Sequence, residues 1–272
     1  MRIQVRHETA YEYATPAKYI IQKLRLSPRS HDGQHVRRWR IEVDKDCRLV
    51  ETTDAFGNVV HSFTLMGQFD SLSIIVEGEV ETEETAGVIR GTAERLPLGL
   101  YLRETSLTEP DEQIEAYARK FQRQDNDRLQ LLHDLLSDLH AHITFDTNRT
   151  DSGTTAAAAF ELRHGVCQDF AHVFIAAARS LGIPARYIGG YLVQSDGTVT
   201  SEAGHAWAEA YAGDLGWVGF DPSNGVCTTD GYVRVAVGLD YLGAAPVRGS
   251  QVGGQTETLG VAVRTENMSA QQ

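Results

Sequence analysis

Over the first hundred positions apolar and polar residues alternate in short runs. Residues 20–26 (I-I-Q-K-L-R-L), 39–43 (W-R-I-E-V), 59–65 and 72–80 read as strands. Ser27-Pro28, His31-Asp32-Gly33, the stretch from Asp54 to Asn58, and Gly67 supply turn chemistry between them. Strands at this spacing predict an antiparallel sandwich or half-barrel. From Arg95 to Glu109 the period is lost while Pro97, Gly99 and Pro110 accumulate. A boundary is therefore expected near residue 100, between a β-rich domain (1–100) and a second domain (101–272).

The period then changes to 3.6. Thr108-Glu109-Pro110-Asp111 looks like a helix start, followed by Ile114, Tyr117, Ala118 and Phe121 on one stripe. A second helix from about Asn126 carries Leu129, Leu132, Leu136 and Leu139, with His133 and His140 expected at its solvent side or core edge. A short Ala-rich helix runs to about Arg163 and is broken by His164-Gly165. A further helix opens after Gly165, with Phe170, Val173, Phe174, Ala177, Ala178 and Leu181 as its buried stripe and Gly182 and Pro184 as its end. Residues 184–193 read as a strand and Ser195-Asp196-Gly197 as a turn. Residues 205–211 (H-A-W-A-E-A-Y) alternate strictly, His205, Trp207, Glu209 and Tyr211 on one face and three alanines on the other. An all-Ala face admits a helix closely, and the helix after Gly165 is the candidate. Residues 217–221 return as the next strand, residues 232–237 and 259–263 as later ones. The 249–254 stretch is expected to be mobile and 265–272 to be frayed. The whole reads as α+β.

Composition narrows the class. The apolar fraction is 42%, or about 47% when Gly is counted and Tyr left out, which is globular and not disordered. No apolar run approaches the ~18 residues of a membrane span, and no secretory h-region follows Met1-Arg2. Three cysteines (Cys47, Cys167, Cys227) show no pairing pattern, so reduced thiols in a cytoplasmic protein are the expectation. A net charge of −12 speaks against nucleic-acid or anionic-membrane partners. Residues 1–40 nevertheless hold nine Lys/Arg against Glu8, Glu12 and Asp32, and residues 77–115 eleven acids against Arg90, Arg95 and Arg103. Two solvated faces that meet each other are one reading, a basic docking patch the other.

Candidate chemistry centres on Cys167 in the first turn of its helix. Unpaired amides and the positive end of the dipole there favour a thiolate over a thiol, and could also donate to an oxyanion. Register supplies partners. A loop of odd length at 213–215 sets Asp221 opposite Trp207 and diagonal to His205, within reach at ~7–8 Å between Cα atoms; an even loop puts it on the wrong face. Cys167, His205 and Asp221 can then act as nucleophile, base and orienter. His164, Cys167 and His172 have superficially zinc-like spacing, but Cys167 and His172 diverge by about 140° around the helix, so no metal is expected. His172 reads as a packed or hydrogen-bonded helix histidine, with lining the cleft as the alternative. Asp169 reads as a helix cap or a substrate contact. Trp207 reads as a shield for His205 or as core, Tyr187, Tyr191 and Tyr211 as core aromatics, and Cys47 and Cys227 as structural.

Four motifs lie in order: G-V-C-Q-D-F-A-H from Gly165, G-I-P-A-R-Y from Gly182, G-H-A-W from Gly204, and F-D-P-S-N from Phe220. Together they resemble the transglutaminase-like superfamily, and the β-rich first hundred residues resemble the N-terminal domain of its bacterial members. Ser223 stands where threonine is commoner. The resemblance implies a papain-like catalytic domain and Cys-His-Asp thiol chemistry on a peptide or protein substrate, without a cofactor. A cysteine peptidase or amidase working through a thioester is the expected activity. Amine transfer by a transglutaminase, or a catalytically silent binding module of the same fold, are the alternatives.

Overall fold

The computed structural model describes residues 1–123, 127–193, 200–201, 204–254 and 256–268, with the backbone alone for Thr200 and Ser201. The chain opens with β1 (Arg2–Ser27), β2 (Gln34–Val43), β3 (Val50–Thr53), β4 (Val59–Thr82) and β5 (Val88–Ile89). Then come α1 (Glu112–Arg119), α2 (Arg128–His142), β6 (Thr144–Phe145), α3 (Ala156–Leu162), β7 (His164–Gly165) and α4 (Cys167–Ser180). β8 (Ala185–Leu192), β9 (Thr200–Ser201), β10 (His205–Tyr211), β11 (Trp217–Asp221), β12 (Val226–Cys227) and β13 (Tyr232–Gly238) follow. The last elements are α5 (Tyr241–Ala244), β14 (Val247–Gly253) and β15 (Glu257–Asn267).

The first sheet has seven strands in the order β2-β4-β1-β15-β9, with β14 also on β1 and β3 on β4. It is the half-barrel of the two expected alternatives. β1 begins at Arg2, well before residue 20, and Ile3, Val5, His7, Thr9, Tyr11 and Tyr13 alternate inward along it. Buried His7 and Thr9 hide that alternation from an apolar pattern. Gly67, expected as a turn, lies inside β4. With φ +152° it absorbs a register shift where Ala17 faces Phe69 but Tyr19 faces Met66, a bulge that bends the strand without ending it.

Two expectations for the C-terminal end are corrected. The stretch expected to be mobile is largely β14, laddered to β1 from Leu24 opposite Val247 to Ala17 opposite Gly253. The expected frayed end is ordered as far as Asn267, which pairs with Ile3, while residues 269–272 lie outside the described set. Both segments are strands because β1 offers partners more than two hundred residues away. The first sheet thus draws on both ends of the chain, beyond the first hundred residues. The basic and acidic stretches meet across it: Arg2 Nε donates to Glu79 Oε1 at 2.5 Å, Arg6 pairs with Glu77, and Arg37 reaches Glu81 at 3.5 Å.

The second sheet has six strands, β12-β11-β10-β8-β13 with β5 on β11. Its inner face packs on α4, which is buried from Gln168 to Arg179 and shares a core cluster with Ala206, Ala208 and Ala210 of β10. α1, α2 and α3 contribute Ile114, Leu132, Leu136, Leu139 and Ala159 to the same cluster, as do Ile3, Val5, Val80 and Val263 of the first sheet. This cluster therefore joins the two sheets, while Tyr11, Ile20, Leu24, Phe63 and Leu72 belong to a separate cluster of the first sheet. Caps set the helix starts: Asp111 accepts from the Ile114 amide at 2.8 Å and Asp127 from that of Gln130 at 3.0 Å. Asn126, the expected start of α2, and the expected turn at Ser195-Asp196-Gly197 lie outside the described residues. At the far end of α4, buried Arg179 donates to the carbonyls of Tyr101, Ala185 and Leu239 and to Thr108 Oγ1. Among the described residues no helix is long and apolar enough to cross a membrane.

Candidate active site

Cys167 is half-buried at the first position of α4, with Val166 as the helix cap. Two residues beyond Cys167, Asp169 turns back over the helix start. Its Oδ2 accepts from the Val166 amide at 2.8 Å and from Thr150 Oγ1 at 2.6 Å. Of the two readings for Asp169, capping is the one observed. This geometry also accounts for Gly165, because a Cβ there would stand 2.7 Å from Asp169 Cβ and Oδ2. The motif G-V-C-Q-D thus fixes the backbone that presents the sulfur and the unpaired first-turn amides beside it.

His205 opens β10 and Asp221 closes β11. Tyr211 faces Trp217 and Ala208 faces Phe220, the register of an odd loop, so Asp221 lies one step beyond Phe220 and opposite Trp207. His205 Nε2 donates to Asp221 Oδ2 at 2.6 Å. That leaves Nδ1 as the ring nitrogen free for the sulfur, and His205 and Cys167 line the same cleft. Burial by itself would lower the ring's pKa; the hydrogen bonds and charges of Asp221 and Cys167 outweigh it and raise it to about 10. The ring is therefore protonated at neutral pH. Asp221 is fully buried, which alone would raise its pKa. Its donors prevail and hold the carboxylate at about 2.

Those donors explain the F-D-P-S-N motif. Asp221 Oδ1 accepts from the Ser223 amide (3.0 Å), Ser223 Oγ (2.6 Å) and the Asn224 amide (3.2 Å), an Asx-type turn closed by the side chain itself. Oδ2 accepts from Asn224 Nδ2 at 2.7 Å and from Tyr232 Oη at 2.8 Å besides His205. Ser223 performs with its hydroxyl what a threonine would. Tyr232 was not legible as a site residue, since it belongs to β13 and nothing in its own strand points to Asp221. Trp207 is buried, stacks against the His205 ring (27° between planes, centroids 6.2 Å apart) and belongs to a small cluster with Ile188 and Tyr232. It both covers the imidazole and fills core.

The zinc-like trio is dispersed. His164 lies 3.7 Å from Asp146, while His172 Nε2 accepts from the Tyr241 amide at 3.1 Å and burial brings its pKa to about 4. His133 stacks edge-on to Phe220, and His140 contacts the Pro222 carbonyl at 3.1 Å. Tyr187 and Tyr191 are buried, as expected of core aromatics, yet they also line the cleft beside Cys167; Tyr211 is half-buried. That cleft, of about 270 Å³, opens between the sheets. His205, Gly189 and Gly190 line one side, and His7, Tyr11, Arg25, Val247 and Leu259 of the first sheet line the other. The contribution of β1, β14 and β15 escaped sequence reasoning, because no local pattern shows which residues of a distant sheet reach a cleft.

Comparison with known proteins gives a consistent family. The transglutaminase-like superfamily model matches residues 115–222, and the bacterial transglutaminase-like N-terminal region matches residues 3–81. An uncharacterised protein of Mycobacterium leprae is 30% identical over 280 residues, covering 98% of this chain and 99% of its own length. An uncharacterised protein of Mycobacterium bovis is 26% identical over 272 residues, covering 91% and 87%. Among solved structures, a protein of Cytophaga hutchinsonii described as a "Putative Cysteine Protease" superposes with a TM-score of 0.77 at 20% identity, covering 98% of this chain and 91% of its own. At that identity the likeness speaks for the fold.

Proposed function

This chain belongs to the transglutaminase-like superfamily, and on that premise we propose that it is a cysteine hydrolase acting on peptide or carboxamide bonds. The observation that carries the reading is the 2.6 Å bond from His205 to a carboxylate held by five further donors, on a ring that lines the same cleft as Cys167. In this reading Cys167 is the nucleophile, His205 the acid and base, and Asp221 the residue that fixes the ring's orientation and tautomer.

With the proton on His205, Sγ attacks the carbonyl carbon. A C–S bond forms and the carbonyl electrons pass to oxygen, which the Cys167 amide at the helix start stabilises. Collapse of the tetrahedral species expels the amine, which takes its proton from His205 and leaves a thioester. Water then gives a proton to the neutral ring as it attacks the acyl carbon. The C–S bond breaks, a carboxylic acid leaves, and the sulfur and imidazole are restored. Amine transfer differs in this last step alone, with an amine in place of water.

Alkylation tests the nucleophile. At neutral pH iodoacetamide is expected to label Cys167 faster than Cys47 or Cys227, both of whose thiols burial pushes up, Cys227 to about 11. His205→Ala should slow that labelling. Equal rates at all three cysteines would refute the enzyme reading and favour a silent binding module. Incubation with a glutamine-containing casein and a fluorescent amine then separates the reactions: new N-termini, or ammonia released without amine incorporation, mark hydrolysis, and amine incorporation marks transfer.

A further inference from the structure

Apart from Cys167 and His205, the residues that line the cleft are ones the triad chemistry does not use. Among the described residues that line it there is no Asp, Glu or Lys, and Arg25 is its one arginine. Most of the remainder is apolar or aromatic, including Tyr11, Leu26, Tyr191, Val235, Val247 and Val261. His7 also lines it, but Tyr191 Oη at 3.0 Å and Thr9 Oγ1 at 2.9 Å occupy both its ring nitrogens, and burial keeps it neutral, with a pKa of about 4.

Arg25 is held in place yet incompletely satisfied. Its amide donates to the Pro246 carbonyl at 2.8 Å, and Nε donates to Asp54 Oδ2 at 3.1 Å. Asp54 is committed to its own turn, with Oδ1 accepting from the Phe56 and Asn58 amides and Oδ2 from Asn58 Nδ2. One carboxylate thus fixes the guanidinium through Nε, while Nη1 is buried with no hydrogen-bond partner. A buried cationic donor without an acceptor is destabilising. A planar guanidinium matches a carboxylate in shape and charge.

We propose that Arg25 is a specificity-determining residue that binds a carboxylate of the substrate, whose apolar portion rests on the wall formed by Tyr191, Val235 and Val261. The substrate class is then a peptide or acyl amino acid bearing a carboxylate near the scissile bond, either a C-terminal α-carboxylate or an acidic side chain. The proposal rests on Cys167 being the nucleophile.

Chloroacetyl probes test it, since Cys167 Sγ displaces chloride as the new C–S bond forms. Chloroacetyl-leucine and chloroacetyl-leucinamide differ in the α-carboxylate. Chloroacetyl-glutamic acid α-amide and chloroacetyl-glutamine α-amide differ in the side-chain carboxylate. In the wild-type protein the acid of one pair is expected to alkylate Cys167 about tenfold faster than its amide partner, and the pair that discriminates identifies the source of the carboxylate. In Arg25→Gln that ratio should fall to about one, and in Arg25→Lys, which keeps a cation beside Asp54, it should fall severalfold. Ratios near one for both pairs in the wild type, or a ratio unchanged in either variant, overturn the proposal. Selective iodoacetamide labelling of Cys167 alongside flat ratios removes Arg25 alone. Loss of that selectivity removes the nucleophile, and Arg25's role with it.

Discussion

Glu209 offers a prediction worked directly from the geometry. It is fully buried on β10, on the same face of the strand as His205 and Trp207, and accepts from Arg186 Nε at 2.7 Å and from Arg234 Nε at 2.6 Å. Arg186 lies on β8 and Arg234 on β13, and the Arg186 guanidinium also sits 3.8 Å over the Trp217 ring. One carboxylate therefore ties together three strands of the site's sheet. Burial alone would raise its pKa, but the two guanidiniums bring it from 4.5 down to about 2. A depression of about 2.5 units corresponds to about 3 kcal/mol of folding stability. That agrees with the ~3–5 kcal/mol expected when one partner of a buried pair is removed. Glu209→Gln should accordingly lose about 3 kcal/mol at pH 7, read from urea unfolding. Because the folded-state pKa is depressed, the contribution is complete above pH 4.5 and is lost as pH falls toward 2. The gap between the wild type and the variant should thus shrink to about half by pH 3.3. A gap below about 1 kcal/mol at pH 7, or one that stays constant between pH 7 and pH 3.3, would refute the assignment of this stability to the ionised carboxylate.

Asp221→Asn removes the charge that helps hold the His205 ring protonated, so the ring's titration, followed by NMR, should move from about 10 down by at least one unit; an unmoved titration contradicts the coupling. Tyr232→Phe deletes one of the donors to Asp221 and leaves the others, so turnover should fall by a few-fold, well short of the effect of Asp221→Asn. At Gly190 a Cβ would stand 2.1 Å from the Val233 carbonyl oxygen and 2.7 Å from the Trp207 ring. Gly190→Ala must therefore spread β8 from β13, and a drop in Tm of about 5 °C or more is expected in a thermal melt.

What the sequence discloses and what it conceals divide along sequence distance. The helix after Gly165, the Ala face of β10 and the odd loop before β11 were legible because each depends on a period of 3.6 or 2 and on turn residues a few positions away. The same holds for Asp169, whose bond to the Val166 amide spans three residues. Concealed were relations that cross the chain. β1 keeps His7 buried by bonding it to Tyr191, 184 residues on, and no local pattern marks such a histidine as interior. β14 reads as a Gly-rich linker until β1 is set beside it. Tyr232 reaches Asp221 from a strand that pairs with β8, not with β11.

The placement of the cleft gives the first sheet a part in chemistry that its sequence alone does not suggest. The two matched regions, residues 3–81 and 115–222, would be separable if the first merely decorated the second. Three features oppose that. The core cluster around α4 includes Ile3, Val5, Val80 and Val263, so removing the first sheet would expose the floor of the second. The wall facing Cys167 and His205 comes from β1, β14 and β15, and Tyr241, Pro246, Val247, Leu259 and Val261 lie beyond both matched regions. Asn58, in the turn before β4, donates to the Val237 carbonyl at 2.7 Å and accepts from the Val237 amide at 2.8 Å, fastening that turn to the edge strand β13. Asp54, which orients Arg25, belongs to the same turn. A chain of hydrogen bonds thus runs from β13, whose Tyr232 donates to Asp221, through Asn58 and Asp54 to the side chain of Arg25. Asn58→Ala should therefore weaken discrimination between carboxylate and amide probes although residue 58 does not line the cleft. Unchanged discrimination in a folded Asn58→Ala protein would show that the first sheet holds Arg25 without help from the second.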